Sequence, residues 1–270
     1  MSFIGGIMTA LIDGDSILYK AGFALEEELE DGTFYVDLQS AKDYIDGIIE
    51  SIMFETDADD YELWVGEKGA NFRYKIAEDN LANGYKHNRK EARKPDKFKE
   101  MLDYVKKEHK AKQAVGCEND DVVVTKKTES PSKYILCCVD KDVLYQTQGT
   151  HWNYGKQEWV SVTRAESIWY AYYQTLVGDT TDGYKGAFRI GPVKAKKILG
   201  EPEDFSERTL WAKVLLTYRK CKQTKEEALA TMRLANMHQL KRNTQGKLRL
   251  DLWEPPTKEE DKLRGYTLPF

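Results

Sequence analysis

The 270-residue chain carries 41 Lys and Arg against 45 Asp and Glu, a net charge of −4, and 41% of its residues are hydrophobic. This is the composition of a soluble globular chain that forms one large domain, or a catalytic domain with a small appendage. The apolar stretch at residues 7–13 is too short to span a bilayer and lacks the flanks of a signal peptide, so we expect a cytoplasmic protein without a membrane partner.

The predicted elements alternate between strands and helices. "IMTALID" (7–13) predicts a buried strand, and "SAKDYIDGIIESIMFE" (40–55) predicts a helix that begins with a Ser40/Asp43 capping box. "YELWVG" (61–66) predicts a second strand, and an apolar stripe from Phe98 to Val105 predicts a helix that begins at Pro95. "KYILCCV" (133–139) predicts a third strand, "HWNYGKQEWVSV" (151–162) a hairpin, and the residues after Thr163 are helical. This alternation predicts an α/β domain with a mostly parallel sheet and a helical appendage.

Basic residues are concentrated in two segments, although the net charge is acidic. Residues 84–112 contain 11 Lys and Arg against 5 Asp and Glu, and residues 185–197 contain 5 basic residues and no acid. Such segregation places basic surfaces beside acidic ones, and it is also compatible with a solvated helix face.

Acidic residues follow the predicted strands at their carboxyl ends, where open α/β sheets place their sites. Asp13 ends the first strand, Glu67 follows the second, and Asp140 and Asp142 follow the third. A further acidic group lies at the start of a predicted helix and contains Glu118, Asp120 and Asp121. Each of these acids is also a candidate helix cap. As a set, they would repel one another unless cations lay between them.

A cluster of carboxylates without His or Cys suits Mg²⁺ or Mn²⁺. Two such ions roughly 4 Å apart activate a water and stabilise the leaving oxygen of a phosphodiester, and nearby lysines bind the rest of a nucleic acid. The acids and the basic segments together therefore indicate a two-metal nuclease.

Five blocks of the sequence resemble the flap endonuclease and 5′-to-3′ exonuclease family. They are "MTALIDGD", "YKHNRK", "GCENDD", "CVDKD" and "LVGDTTDGYKGAFRIGPVKAKKIL", in this order along the chain. The likeness is greatest to the exonucleases of short-tailed bacteriophages, it covers roughly residues 7–199, and it implies the cytoplasm of a host cell if the chain is phage-encoded.

The resemblance implies a PIN-like domain at 1–173, with a helical arch near 84–112, and a helix-three-turn-helix DNA-binding region with a C-terminal tail at 174–270. It implies metal ligands in two sites: Asp13, Glu118, Asp120 and Asp121 in the first, and Asp140, Asp142, Asp179 and Asp182 in the second. Lys86 and Arg89 would contact the scissile phosphate, and Tyr85 would stack on a base. DNA-backbone contacts are expected at Lys90, Arg93, Lys94, Lys185, Arg189, Gly191, Lys194, Lys196 and Lys197.

The sequence departs from the family pattern at Glu67 and at Arg189, among others. Glu67 stands where the family has Asp, so its carboxylate is one methylene further from the backbone. Arg189 stands where the family often has the first glycine of Gly-Ile-Gly, while Gly186 and Gly191 remain. Glycines allow a phosphate to approach the backbone closely. The family's monovalent-cation site, a K⁺ site at this hairpin, is therefore a weaker expectation than the two Mg²⁺ ions.

The expected activity is metal-dependent removal of nucleotides from the 5′ end of duplex DNA, or of RNA paired to DNA, with cleavage of 5′ flaps. Two alternatives remain open. A PIN-like ribonuclease would share the acids but would not need the basic hairpin, and a structure-specific DNA-binding protein without activity would gain nothing from carboxylates beside phosphate.

Other candidates for chemistry are weaker. The four cysteines have neither disulfide nor zinc spacing and are expected to be reduced and buried. The four histidines lack ligand spacing and are expected to be surface or hydrogen-bonded residues. Trp152, Tyr154 and Trp159 could stack on bases, but aromatic residues in a hairpin more often pair across strands. Asp15 is expected to cap a helix that begins near Ser16.

Overall fold

The computed structural model of the protein describes residues 7–66, 71–80, 84–87, 93–204 and 206–257. These residues form two compact units. Unit 1 consists of Met1–Ala70 and Ala92–Ser161, and unit 2 of Asn71–Glu91 and Val162–Phe270. Glu67, Arg89 and Lys90 lie outside the described residues.

A six-stranded sheet forms the centre of unit 1, with the strand order β5-β4-β1-β6-β7-β8. Its strands are β1 (Thr9–Asp13), β4 (Asp60–Val65), β5 (Lys112–Gln113), β6 (Tyr134–Cys137), β7 (Gly149–Asn153) and β8 (Glu158–Val162). The pairs β1–β4, β1–β6, β4–β5 and β6–β7 are parallel. The three predicted strands and the predicted hairpin are thus confirmed as β1, β4, β6 and β7–β8. All five residues of β1 are buried, because the strand has a neighbour on each side and lies within the core.

Five helices accompany this sheet in the described part of unit 1. They are α1 (Asp15–Leu25), α2 (Leu38–Thr56), α4 (Phe98–Lys107), α5 (Asn119–Glu129) and α6 (Lys141–Tyr145). A short hairpin of β2 (Glu27–Glu28) and β3 (Phe34–Tyr35) connects α1 and α2. The core joins Ile12 of β1 to Leu18 of α1, Ile45 of α2 and Met101 of α4. The helical periodicity of the sequence therefore identified the buried faces of α2 and α4.

The helix starts differ from the predicted ones by a few residues. Asp37, rather than Ser40, caps α2, because its side chain accepts a hydrogen bond of 2.8 Å from the Ser40 backbone N–H. α4 begins at Phe98, three residues after Pro95, and its N-cap Lys97 has a φ of 56°. Several polar residues near the start of a helix can each serve as its N-cap. The spacing of apolar residues therefore predicts that a helix exists more reliably than it predicts the residue at which the helix begins.

Helices dominate unit 2. They are α3 (Phe72–Asn80), α7 (Arg164–Val177), α8 (Pro192–Leu199), α9 (Glu207–Lys220) and α10 (Lys225–Ala235), with a 3-10 turn at Pro202–Asp204. Two small hairpins pair β9 (Gly178–Asp179) with β10 (Tyr184–Lys185), and β11 (Leu240–Arg242) with β12 (Leu248–Leu250). Tyr172, Leu199, Leu210, Val214 and Met232 form its main core.

The predicted domain boundary at residue 173 falls inside α7, and the two units divide at other residues. That helix packs its apolar face against α8, α9 and α10, so the whole of it belongs to unit 2. Residues 71–91 also belong to unit 2, where α3 packs against α10.

The predicted arch near 84–112 is divided between the two units. Residues 84–87 belong to unit 2, and residues 88–92 lie outside the described part of the chain. α4 buries Met101 and Val105 against α1 and α2 in unit 1. Its apolar stripe therefore packs into the core of unit 1.

Candidate functional site

Acidic side chains gather at one edge of the sheet in unit 1. Asp13 is the last residue of β1, and Asp140 comes three residues after β6 ends. The two strands are parallel neighbours, with Ile12 opposite Cys137, so their carboxyl ends meet at this edge. The predicted placement of acids after the strands is therefore correct for these two residues.

Asp13 is buried, with 3% of its surface exposed. Its carboxylate accepts hydrogen bonds from the Asp15 backbone N–H at 3.2 Å and from the Ser16 hydroxyl at 3.0 Å, and a further one from Asn119 Nδ2. Burial, followed by repulsion from Asp15 and Asp140, raises the pKa of Asp13 to about 7. A nearby cation would stabilise the ionised form of a carboxyl group in this environment.

The thiol of Cys138 lies among the same carboxylates. Its Sγ is 3.6 Å from Asp13 Oδ2, and the Asp140 backbone N–H donates to Sγ at 3.2 Å. Burial raises the pKa of Cys138 well above its usual range, and the charges of Asp13, Asp120 and Asp140 raise it further. The Asp13 carboxylate and the Asp140 backbone therefore meet at one buried thiol, although they come from β1 and from the loop after β6.

Several of the predicted ligands cap helices. Glu118 and Asp121 form a capping box at the start of α5, where Asp121 Oδ2 accepts from the Glu118 backbone N–H at 3.1 Å. Asp140 caps α6 by accepting from the Asp142 backbone N–H at 2.7 Å. Asp142 is buried and pairs with Lys141 Nζ at 2.7 Å. Capping, the alternative that the sequence left open for the acids at the start of α5, is therefore confirmed for Glu118 and Asp121, and Asp140 caps α6 in addition.

The carboxylate oxygens of these acids suit Mg²⁺, but the side chains are not arranged as a coordination site. Among the described residues, no group of three or more His, Cys, Asp and Glu side chains could hold a metal ion as it stands. Oxygen donors and mutual repulsion at Asp13 suit a hard divalent cation.

Three residues that the sequence analysis did not assign to this site also position it. The Tyr154 hydroxyl donates to the backbone oxygen of Asp13 at 2.9 Å, and Asn119 reaches the Asp13 carboxylate. Asp15 does not cap α1, because it is the first helical residue and accepts from the Gly66 N–H at 3.1 Å. The sequence signal for Tyr154 was weak, since hairpin aromatic residues commonly pair across strands. Trp152 and Trp159 do pair, with ring centroids 5.3 Å apart.

In unit 2, the "YKHNRK" block contacts the "GDTTDGYK" block. The Tyr85 hydroxyl donates to Asp182 Oδ2 at 2.7 Å, and Lys86 Nζ lies 3.7 Å from Asp182 Oδ1. The Lys86 backbone N–H also donates to the Asp182 backbone oxygen at 2.8 Å. Asp179 accepts from the Thr181 and Asp182 backbone N–H groups, at 2.6 and 3.1 Å, and so shapes the turn. Asp182 thereby holds both Tyr85 and Lys86 in place.

The expected stacking of Tyr85 on a base does not fit this arrangement. The side chain is 1% exposed, and its ring packs among Ala77, Tyr184 and Leu234. It also meets Tyr74 edge-on, with ring centroids 5.6 Å apart. A ring so enclosed presents no face to a nucleobase, so Tyr85 acts here through its hydroxyl.

The β9–β10 hairpin, the loop that follows it and α8 present the basic residues of 185–197 to solvent. Lys185, Arg189, Lys194, Lys196 and Lys197 are all exposed. Arg189 has a φ of 58°, in the left-handed region that favours glycine. The chain thus keeps the glycine-like backbone of the family pattern with an arginine in that position. Gly191 caps α8 in an extended conformation, and a Cβ there would meet nothing within 4 Å.

Gly186 fixes the close approach of this loop to the end of α7. A Cβ at Gly186 would lie 2.3 Å from the Leu176 backbone oxygen and 2.6 Å from the Gly178 N. We expect Gly186→Ala to lower the free energy of unfolding by about 2 kcal/mol or more, because backbone atoms must shift. Gly191→Ala is the matched control with open space. Equal melting temperatures for the two variants in thermal denaturation would contradict this packing.

Arg93 and Lys94 have structural contacts in unit 1. The Arg93 guanidinium binds Glu26 through two hydrogen bonds of 2.6 Å, and its Cζ lies 3.7 Å from the ring centroid of Phe34. The hydrogen bond from Arg93 lowers the pKa of Glu26. Lys94 Nζ lies 4.0 Å from the ring centroid of Phe98. Arg93 thus anchors the β2–β3 hairpin, which differs from the phosphate contact that the resemblance implied.

The cysteines and histidines match their predicted structural roles except for Cys221, which is partly rather than fully buried. None of the four cysteines, all within the described residues, forms a disulfide. Cys117, Cys137 and Cys138 are buried. His151 is fully buried with Nε2 2.6 Å from the Thr147 backbone oxygen, and burial lowers its pKa to about 4. No helix among the described residues is long and apolar enough to cross a membrane.

The architecture is that of the flap endonuclease and 5′-exonuclease fold of phages. Solved structures of the bacteriophage T5 enzyme share it. A pseudo-enzyme–product complex of the T5 flap endonuclease with DNA and metal ions matches 85% of this chain and 89% of that chain, with a TM-score of 0.63 and 15% identity. The T5 5′-exonuclease with bound divalent metal ions (zinc) matches the same shares, with a TM-score of 0.64 and 14% identity.

A T5 5′-exonuclease mutant matches 86% of this chain and 89% of that chain, with a TM-score of 0.61 and 13% identity. The fold class predicted from the sequence is thus confirmed. At these identities the likeness shows the fold alone. A scan against family models finds no match, and a sequence search of curated proteins finds none either.

Proposed function

We propose that the chain is a divalent-metal-dependent 5′-nuclease that acts on duplex DNA, or on RNA paired to DNA, as a 5′-to-3′ exonuclease that also cuts 5′ flaps. The observation that carries the proposal is the meeting of the carboxyl ends of the parallel neighbours β1 and β6, which brings Asp13 and Asp140 to the same buried thiol of Cys138 at the edge of the sheet. The T5 nuclease structures, crystallised with DNA or metal ions, support it through their shared fold.

Asp13, Asp120 and Asp140 are the proposed first choice of ligands for two Mg²⁺ ions, which Mn²⁺ can replace. Glu118, Asp121 and Asp142 complete the proposed set in unit 1, and Asp179 and Asp182 keep their proposed ligand roles on the basis of the sequence resemblance alone. When bound, the ions would activate a water and stabilise charge on the phosphate. The proposed K⁺ site at the hairpin rests on Gly186 and Gly191 alone.

The other groups of the chain bind and orient the substrate in this proposal. Lys86 contacts the reacting phosphate, and Asp182 positions its ammonium group. The exposed lysines of the hairpin and α8 bind phosphates of the duplex away from the cut, because their charges have no acidic neighbour within residues 185–197. Arg89 and Lys90 keep their proposed phosphate contacts on the basis of sequence alone.

A cleavage assay with two labels tests the proposed function. Matched duplexes carry a label at the 5′ or at the 3′ end, with RNA–DNA hybrid, 5′-flap and single-stranded RNA substrates alongside. A 5′-nuclease releases the 5′ label first, as short products, and shortens the 3′-labelled strand gradually. Cleavage of single-stranded RNA alone would favour a PIN-like ribonuclease, and duplex binding without cleavage would favour a non-catalytic DNA-binding protein.

Metal removal should abolish cleavage. We expect activity with Mg²⁺ or Mn²⁺, none with a chelator in excess, and duplex binding without turnover in Ca²⁺, because the looser coordination of Ca²⁺ positions a water poorly. Titrating each ion into the chelated protein and measuring the initial rate tests this. Full activity in excess chelator would contradict a metal mechanism.

Removing a hairpin lysine should weaken binding without slowing the chemical step. We expect Lys194→Ala and Lys196→Ala each to reduce the slope of log affinity against log salt by about one, because each variant binds one phosphate fewer. The rate at saturating protein should stay within about twofold of the original. Lys220→Ala on α9, outside the basic segment, is the control. Unchanged slope and affinity in both hairpin variants would identify these lysines as a solvated helix face.

A further inference from the structure

The loop between β10 and α8 holds a large apolar side chain in solvent. Phe188 is 61% exposed, so its ring contributes little to the core. Its backbone is nevertheless fixed at both polar atoms: the N–H donates to Gln223 Oε1 at 2.7 Å, and the oxygen accepts from Cys221 Sγ at 3.3 Å. Gln223 Nε2 also donates to the Gly186 oxygen at 3.4 Å. This anchored loop therefore presents the ring in a defined place.

The surroundings of Phe188 are cationic. The five basic residues of 185–197 are exposed, and that segment contains no acidic residue. Arg189 lies with its Cζ 5.0 Å from the Phe188 ring centroid, and Val193 is 83% exposed. A single exposed apolar side chain needs no explanation. Here two exposed apolar side chains, Phe188 and Val193, lie on one short basic segment, and Phe188 is on a fixed loop. This combination indicates a polyanionic partner that also offers apolar surface.

We propose that Phe188, assisted by Val193, packs against the sugars and base edges of the minor groove of a nucleic-acid duplex, between phosphates bound by the neighbouring lysines. The inference rests on the proposed function, and it adds a contact of a different physical kind. Duplexes place apolar sugar edges between rows of phosphates, and apolar side chains are known to wedge into the minor groove. The basic charge of the segment favours this partner over an acidic or uncharged protein surface.

The two kinds of contact depend differently on salt. A lysine–phosphate contact releases counterions, so its contribution weakens steeply as salt rises. The packing of an apolar ring against sugars releases none, so its contribution is nearly the same at every salt concentration. The contributions of Phe188 and Lys194 to duplex affinity can therefore be distinguished by their salt dependence, although the two residues lie on the same segment.

Binding of the full-length protein to a fluorescent DNA duplex, measured by anisotropy in Ca²⁺ over a salt series, tests the proposal. We expect Phe188→Ala to weaken binding about fivefold to tenfold at each salt concentration, with the slope unchanged. Phe188→Leu, which keeps an apolar side chain, should recover most of the affinity. Leu216→Ala, which removes a 56% exposed apolar side chain from α9, should bind like the original protein.

Two outcomes would overturn the proposal while leaving the proposed function intact. One is duplex affinity unchanged in Phe188→Ala when Lys194→Ala still lowers the slope. The other is a slope change in Phe188→Ala as large as that of Lys194→Ala, which would mean that the ring acts through Arg189. If the unsubstituted protein fails to bind duplex at all, the proposed function and this inference fall together. Thermal melts of each variant show whether it is folded.

Discussion

Asp120→Ala is expected to slow single-turnover cleavage in Mg²⁺ by about 100-fold to 1000-fold, while duplex affinity in Ca²⁺ stays similar or rises. Asp120 lies in the first turn of α5 beside the capping box, whose cap is made by Glu118 and Asp121. Its removal therefore leaves that cap in place. The loss of one carboxylate also relieves repulsion of phosphate, which is why binding need not suffer.

The other acids of the site give less direct tests. Asp140→Ala removes a helix cap as well as a proposed ligand, so part of any loss would come from α6. Asp140→Asn keeps an oxygen that can accept from the Asp142 N–H, and it should lose turnover while melting near the original temperature. Asp103→Asn, at an exposed position on α4, is the matched control and should change neither quantity.

Parallel loss of binding and turnover in Asp120→Ala, together with a lower melting temperature, would assign this acid to structure. Full turnover in the same variant would remove it from the proposed ligand set. Both measurements use the same protein preparation, so a folding defect is separated from a chemical one.

Much of the fold of unit 1 was predictable because its elements have strong local patterns. β1 is a continuous apolar run, α2 and α4 have clear helical stripes, and the hairpin has turn residues between aromatic runs. The short strand β5 was not predicted, because two residues are too few to show the alternation of apolar and polar residues that marks a strand. The units differ from the predicted domains, because chain order does not reveal that α3 packs against α10.

The position of two acids of the candidate site was predictable. Strand ends located Asp13 and Asp140, because parallel neighbours bring their carboxyl ends together. The sequence could not show that Arg93 turns toward Glu26, 67 positions away, or that Tyr85 is enclosed in a core. Both facts depend on contacts between distant segments, for which composition and spacing carry no signal.

The surroundings of Lys86 make it the residue of unit 2 whose loss should affect chemistry most. Its φ is 50°, and its backbone N–H is bound by the Asp182 oxygen, so the position of the residue is fixed. Its ammonium group lies 5.0 Å from the Tyr85 ring centroid and 3.7 Å from Asp182 Oδ1. A cation held in this way is ready to stabilise charge on a phosphate without first losing side-chain freedom.

Lys86→Ala should therefore lower the single-turnover rate at saturating protein by about 100-fold, with duplex affinity in Ca²⁺ reduced less than about fivefold. Tyr85→Phe removes only the hydroxyl that holds Asp182, so the same rate should fall by about tenfold, because loosening Asp182 loosens Lys86. Lys194→Ala provides the contrast, with weaker binding and a nearly unchanged saturated rate. If Lys86→Ala instead behaves like Lys194→Ala, its charge binds substrate only, and the chemical role passes to groups outside this turn.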